Sequence, residues 1–237
     1  MTAALAFVAT AVATVLSQRL LARATTRKKP HEVAWAFAMF LFALASAALA
    51  LGLSTGWNAG IFRAYYLFGA VLNVPWLALG TVYLMVGRTW GRRVQWGLVF
   101  FSGLALGVVF TAAITQPMSG TAIPVGKEVF GTFPRVLAAV GSGVGATVVF
   151  VGAAWSAVQF ARGRATGGWR MAAGTGLIAL GVLVTASKAL FETVAKGDTA
   201  FVIALTVGIS IIASGFAVTS YSPTQRTQAN AVPAAAN

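Results

Sequence analysis

The chain has 237 residues, 58% of them hydrophobic and 9% charged, with a formal net charge of +13. So apolar and sparsely charged a composition excludes a disordered chain and argues against a soluble domain. Cysteine is absent, which removes disulfides, thiolate metal sites and cysteine nucleophiles.

Apolar runs fall at 3–21, 32–53, 59–86, 94–114, 135–161, 171–193 and 199–221, each near the ~20 residues a bilayer-spanning helix needs. They predict an all-α polytopic membrane protein with seven transmembrane helices over residues 1–221. Residues 222–237 are polar and alanine-rich without apolar periodicity and read as a disordered cytoplasmic tail. The first run carries a small-residue stretch, Ala11-Val12-Ala13, that resembles a signal cleavage site. A secretory signal opens with positive charge, however, and here the charge follows the apolar stretch, so the run reads as the first helix.

Alternate connections collect the basic residues. Arg19, Arg23, Arg27, Lys28 and Lys29 follow the first run, Arg88, Arg92 and Arg93 the third, and Arg162, Arg164 and Arg170 the fifth. The positive-inside rule places that set in the cytoplasm, with the N-terminus outside and the C-terminus inside, in the plasma membrane of a bacterium. The same sorting argues against nucleic acid as a partner, because no basic stripe interleaved with aromatics forms. Membrane lipids are the expected partners of such basic caps. His31 follows Pro30 at a helix start, where capping or interfacial placement fits better than metal ligation.

Most connections are short; the loop from Thr115 to Pro134, rich in glycine and proline, predicts an irregular cap or short hairpin over the outer mouth. Gly103 with Gly107, Gly141 with Gly145 and Ser210 with Ser214 are small-xxx-small pairs, expected to serve packing within the bundle. Helices one to three and five to seven share orientation and spacing, as a three-plus-one-plus-three repeat would.

Helix three carries the densest chemistry. Asn73, Pro75 and Trp76 cluster near its midpoint, Tyr65 and Tyr66 lie about two turns above and Tyr83 about two turns below. Pro75 should kink the helix and leave the Val71 carbonyl without its N–H partner. Two readings stand. Asn73 bonds Thr111, Thr147, Thr185 or Thr206 on neighbouring helices, or these residues wall a pocket for an apolar ligand with a polar tip. At the outer ends, Arg63, Arg135, Lys188 and Lys196 meet Glu128, Glu192 and Asp198. They tie the rim together by ion pairs or form an anion-recognising mouth.

No ionisable residue falls near the bilayer centre, which lowers the weight of proton pumps and cation-coupled carriers. A retinal pigment of the microbial rhodopsin kind needs a lysine in the last helix and an acid in the third; Thr199 to Tyr221 has no lysine, and Lys188 lies one helix early, near the surface. No serine–histidine pair, HExxH, paired intramembrane carboxylates or phosphate loop is present, so the expectation is no enzyme, no metal and no cofactor.

The passage Phe62-Arg63-Ala64-Tyr65-Tyr66 through Val74-Pro75-Trp76-Leu77 to Tyr83, Gly87 and Arg88 resembles the third helix of the seven-helix sensor regions that precede bacterial histidine kinases. The likeness covers one helix and the general topology, and the chain departs from that family in carrying no kinase after the bundle. The alanine-rich, arginine-over-lysine composition is similar to that of actinobacterial membrane proteins. The resemblance implies a membrane sensor or accessory subunit that binds a small apolar or lipid-like ligand or a partner membrane protein. The competing reading is a small-solute or lipid transporter with a path beside Asn73.

Overall fold

A computed structural model describes residues 2–27, 29–116, 118, 120–163, 168–186 and 198–220. The long helices are α1 (Thr2–Arg27), α2 (Pro30–Thr55), α3 (Ala59–Met85), α4 (Arg88–Thr111), α5 (Thr132–Ala161), α6 (Gly168–Ala186) and α7 (Asp198–Ser220). All of these except α6 are long and apolar enough to cross a membrane, six in number; the described apolar stretch of α6, Ala172–Thr185, is shorter. The remainder of the predicted sixth run, with Lys188, Glu192 and Lys196, lies outside the described residues, as does the tail 222–237. α4 begins six residues before its predicted start, so Arg88, Arg92 and Arg93 ride on the helix itself. Arginine is a good helix former, and an apolar run marks only the lipid-embedded part of a helix.

Packing follows a ring: α1 on α2, α2 on α3, α3 on α5, α5 on α6, α6 on α7, and α7 back on α1. The ring is filled by small and branched side chains with a few large ones, among them Ala13, Met39, Phe42, Leu77, Val149, Val182 and Ile209. α4 stands outside it, chiefly against α3. Its outer face is apolar, with Phe100 76% and Trp96 68% exposed, as suits a helix whose solvent is lipid rather than water.

Close backbone approach holds the α6–α7 pair. A Cβ on Gly174 would lie 2.9 Å from the Gly215 carbonyl oxygen, and one on Gly215 2.8 Å from that of Gly174. Gly181 and Gly208 repeat the arrangement at 2.8 and 3.0 Å. Each helix thus carries glycines seven residues apart, and the antiparallel helices meet at both. In lipid, where no hydrophobic effect drives helices together, such contact is the main source of association. Across α1 and α2 the Ser17 hydroxyl donates to Ala36 O at 2.8 Å.

The loop between α4 and α5, the one expected at the outer face, is a folded cap. Ile114 and Phe130 form an antiparallel bridge, Thr115 N donates to Val129 O at 3.0 Å, and one helical turn runs over Gly126–Val129. Trp57 anchors it from the α2–α3 connection, its backbone N donating to Gly120 O at 3.2 Å and its indole N to Thr121 O at 3.3 Å.

A kinked helix and the crevice beneath it

Pro75 shapes the centre of α3 through a π-helical segment, Tyr66–Leu72, which leads into the α-helical half Asn73–Met85. Within it Asn73 N donates to Phe68 O, five residues back rather than four. Pro75 has no N–H to give to the turn before it. At that turn the Ser142 hydroxyl of α5 donates to Ala70 O at 2.6 Å.

The Gly141 and Gly145 pair makes this reach available. A Cβ on Gly141 would sit 2.7 Å from Val71 O, and one on Gly145 2.9 Å from both Pro75 N and the Val74 carbonyl carbon. α5 therefore touches the kink backbone to backbone, with Ser142 delivered to the Ala70 carbonyl. The Gly103 and Gly107 pair does the opposite of what its spacing predicts: a Cβ at either would meet nothing within 4 Å. Ser210 and Ser214 are exposed and bond their own helix at Thr206 O and Ser210 O. Neither pair contributes to packing within the bundle.

Below the kink a crevice of about 370 Å³ opens between α3, α4 and α5. Pro75, Ala78 and Val82 line it from α3, Val94, Gly97 and Phe101 from α4, and Val140, Gly141 and Val144 from α5. Every lining residue is apolar or glycine. The volume lies in the range of small-molecule pockets.

Of the six residues expected to wall one pocket, only Pro75 lines this crevice. Trp76 and Tyr83 lie on the other side of α4, along a trough shared with Phe37. The Trp76 ring packs edge-on against Phe37 with centroids 4.4 Å apart, and its indole N donates to Ser102 Oγ at 3.2 Å. The Tyr83 hydroxyl donates to Gln95 Oε1, and its ring lies where a Gly91 side chain would be. Tyr65 and Tyr66 belong to an outer aromatic cluster with Trp57, Phe62 and Phe130, ring centroids 5.0–6.3 Å apart.

Asn73 is in neither groove. Its Oδ1 is buried with no hydrogen-bond donor among the described residues. The four threonines expected to meet it bond backward along their own helices, Thr111 to Gly107 O, Thr147 to Gly143 O, Thr185 to Val182 O and Thr206 to Val202 O. A threonine in a helix always has a carbonyl one turn back within reach; Thr206 also lies 3.5 Å from Leu5 O on α1, and none of the four meets Asn73. Asn73→Leu should therefore leave the melting temperature unchanged or raise it, since a buried unmet acceptor costs about 1–3 kcal/mol. A clear drop in thermal unfolding would show that the amide has a partner.

At the outer rim the charged groups bond backbone. Arg63 Nη2 donates to Ala112 O at 2.8 Å, which places a cation at the C-terminus of α4. Asp198 Oδ2 accepts from Ile123 N at 2.9 Å and ties α7 to the outer cap. Arg135 and Glu128 are exposed. Arg63 and Asp198 thus tie helix ends and loop, while Lys188, Glu192 and Lys196 lie outside the described residues.

Two features escaped the sequence. The glycines spaced by seven in α6 and α7 were a legible signal. The separation of Pro75 from Trp76, adjacent in sequence but facing different grooves, was not legible without knowing where α4 sits. Comparison with protein-family models, curated proteins and solved structures yields no match.

Proposed function

We propose that the chain is a non-enzymatic, seven-crossing membrane module, N-terminus outside and C-terminus in the cytoplasm, that holds a small apolar or lipid-like molecule. The observation that carries this reading is the crevice between α3, α4 and α5. It is lined without a polar side chain, opens beneath a proline kink, and borders the one helix outside the ring. A polar solute would lose its hydration there with nothing to replace it, whereas an acyl chain or a small hydrocarbon loses nothing. Occupancy bears directly on Pro75 and on Gly141, whose backbone approaches the end of the π-helical segment at Val71 O. That is the route a sensor or accessory subunit would use, its partner another membrane protein. The bare glycines of α4, Gly103 and Gly107, leave its backbone approachable from outside the bundle.

A second reading, transport, draws on the ring order. Pairing α1–α2–α3 with α5–α6–α7 and leaving α4 apart is the arrangement a three-plus-one-plus-three repeat produces. The ring centre is packed with Met39, Phe42 and Leu77, so a path there needs the two triplets to move apart.

Gly97 gives a test that leaves packing intact, because it lines the crevice and a Cβ there meets nothing within 4 Å. Gly97→Trp should fill the space with no loss of thermal stability. Native mass spectrometry of the protein released from its own membrane should then show an apolar adduct on the wild type and its loss in the variant. Equal adducts on both, or transport of a solute unaffected by the variant, would remove the crevice from the function.

A further inference from the structure

On the opposite side of α4 from the crevice, two hollows meet at Pro30, Tyr83 and Gln95. One, of about 250 Å³, is an apolar trough along Val33, Phe37, Trp76 and Leu79. The other, of about 390 Å³, lies at the basic end of the bundle and is bounded by Arg88, Arg92 and Trp96. Arg88, Arg92, Gln95 and Trp96 stand at i, i+4, i+7 and i+8, one face of α4. Arg93, one position on, turns elsewhere, its guanidinium 4.9 Å over the Trp90 ring.

The chemistry of the mouth is one-sided. Both guanidiniums are donors only. Gln95 has its carbonyl oxygen engaged by the Tyr83 hydroxyl, which leaves its Nε2 hydrogens as the remaining polar capacity. Glu32, the acid nearest in sequence, is 4% exposed and lines neither hollow. Orientation by positive charge accounts for arginines at this level but not for two of them sharing a hollow that continues into an apolar trough. A paired-arginine mouth over a trough walled by Phe37 and Trp76 matches a phosphate headgroup with its acyl chain laid below it.

We propose that this joined hollow is a binding site for an anionic phospholipid, the phosphate held by Arg88 and Arg92 and one acyl chain seated along Phe37 and Trp76. The site shares only Leu79 with the apolar crevice. Its success and that of the crevice reading are therefore separable, and Gly97→Trp should leave it intact.

The full chain in detergent micelles, offered phosphatidylglycerol, phosphatidylcholine or inorganic phosphate, provides the test, read by thermal unfolding and native mass spectrometry. Phosphatidylglycerol should raise the melting temperature by several degrees and leave one retained lipid. The Arg88→Gln/Arg92→Gln double variant should lower that retention at least tenfold, and Arg93→Gln should not change it. Should the double variant fail to fold, the wild type decides through competition, with phosphatidylglycerol displacing phosphatidylcholine at least tenfold better than the reverse. Retention of both lipids alike would overturn the proposal, as would an undiminished double variant. A full thermal shift from inorganic phosphate alone would mark a free-anion site and overturn the lipid assignment.

Discussion

Gly145→Val should be strongly destabilising. Its Cβ would lie 2.9 Å from Pro75 N and from the Val74 carbonyl carbon, and 3.0 Å from Val74 O. These are backbone atoms of the kink, not flexible side-chain ends, so α5 must move away from α3 as a body. Ser142 would then leave Ala70 O and the bond between the two helices would be lost. Overpacking costs about 1–3 kcal/mol, and losing the hydrogen bond adds about 1 kcal/mol. Against a typical total of about 5–15 kcal/mol that is a large fraction. Gly107→Val supplies the control: the same substitution at a glycine of the same spacing, with nothing within 4 Å, should be neutral or slightly stabilising. Thermal unfolding of both variants in one detergent decides it; equal losses would mean that glycine as such, not the contact at the kink, sets the effect.

The second large effect belongs to Phe62→Ala. Phe62 is fully buried, and its ring centroid lies 5.3 Å from that of Phe130, 5.9 Å from Tyr66, 6.0 Å from Trp57 and 6.3 Å from Tyr65. It joins α3 to the outer cap through Phe130 and to the α2–α3 connection through Trp57. Removing the ring leaves a cavity that its rigid aromatic neighbours fill poorly, at a cost of about 3 kcal/mol. The loss should be local before it is global. Hydrogen exchange should rise first at Thr115, whose N–H donates to Val129 O, and over Gly126–Val129. Phe100→Ala, at a side chain 76% exposed, should change neither measurement. Unchanged exchange in the cap of Phe62→Ala would show that the loop is held by its own bonds and not by the aromatic cluster.

How far these arrangements were readable from the residues differs by level. Run length alone predicts seven lipid-compatible helices, because the bilayer fixes the length of what crosses it, and six long apolar helices stand among the described residues. The disturbance at Pro75 was legible too, since a missing N–H has to show somewhere in a helix. The form it takes was not: a π-helical segment precedes the proline and Ser142 bonds Ala70 O, and nothing local announces one turn type over the other. Which helix faces which was the least readable. A helix in lipid is apolar all round, so the pattern that reveals a buried face in water is missing, and α4 carries Phe100 and Phe101 on opposite counts of exposure without any change in residue type. For the same reason Gly103–Gly107 and Gly141–Gly145 look alike in sequence and behave oppositely. The Asn73 amide failed in another way. Its expected threonine partners each had a carbonyl one turn back, and a local bond needs no second helix in register.

Both grooves take their meaning from the arrangement proposed above, in which the bundle crosses the membrane seven times with its basic connections in the cytoplasm; α4 would then face lipid and Arg88 and Arg92 would sit at the inner surface. Cysteine accessibility tests that arrangement most directly, because the chain has no cysteine of its own. Thr26, Thr89 and Thr121 are exposed at three different turns, the first two beside the basic clusters and the third in the outer cap. In intact cells an impermeant thiol reagent should label Thr121→Cys and leave Thr26→Cys and Thr89→Cys unlabelled until the cells are opened. Labelling of Thr26→Cys or Thr89→Cys in intact cells, with Thr121→Cys protected, would contradict the account and turn the bundle over.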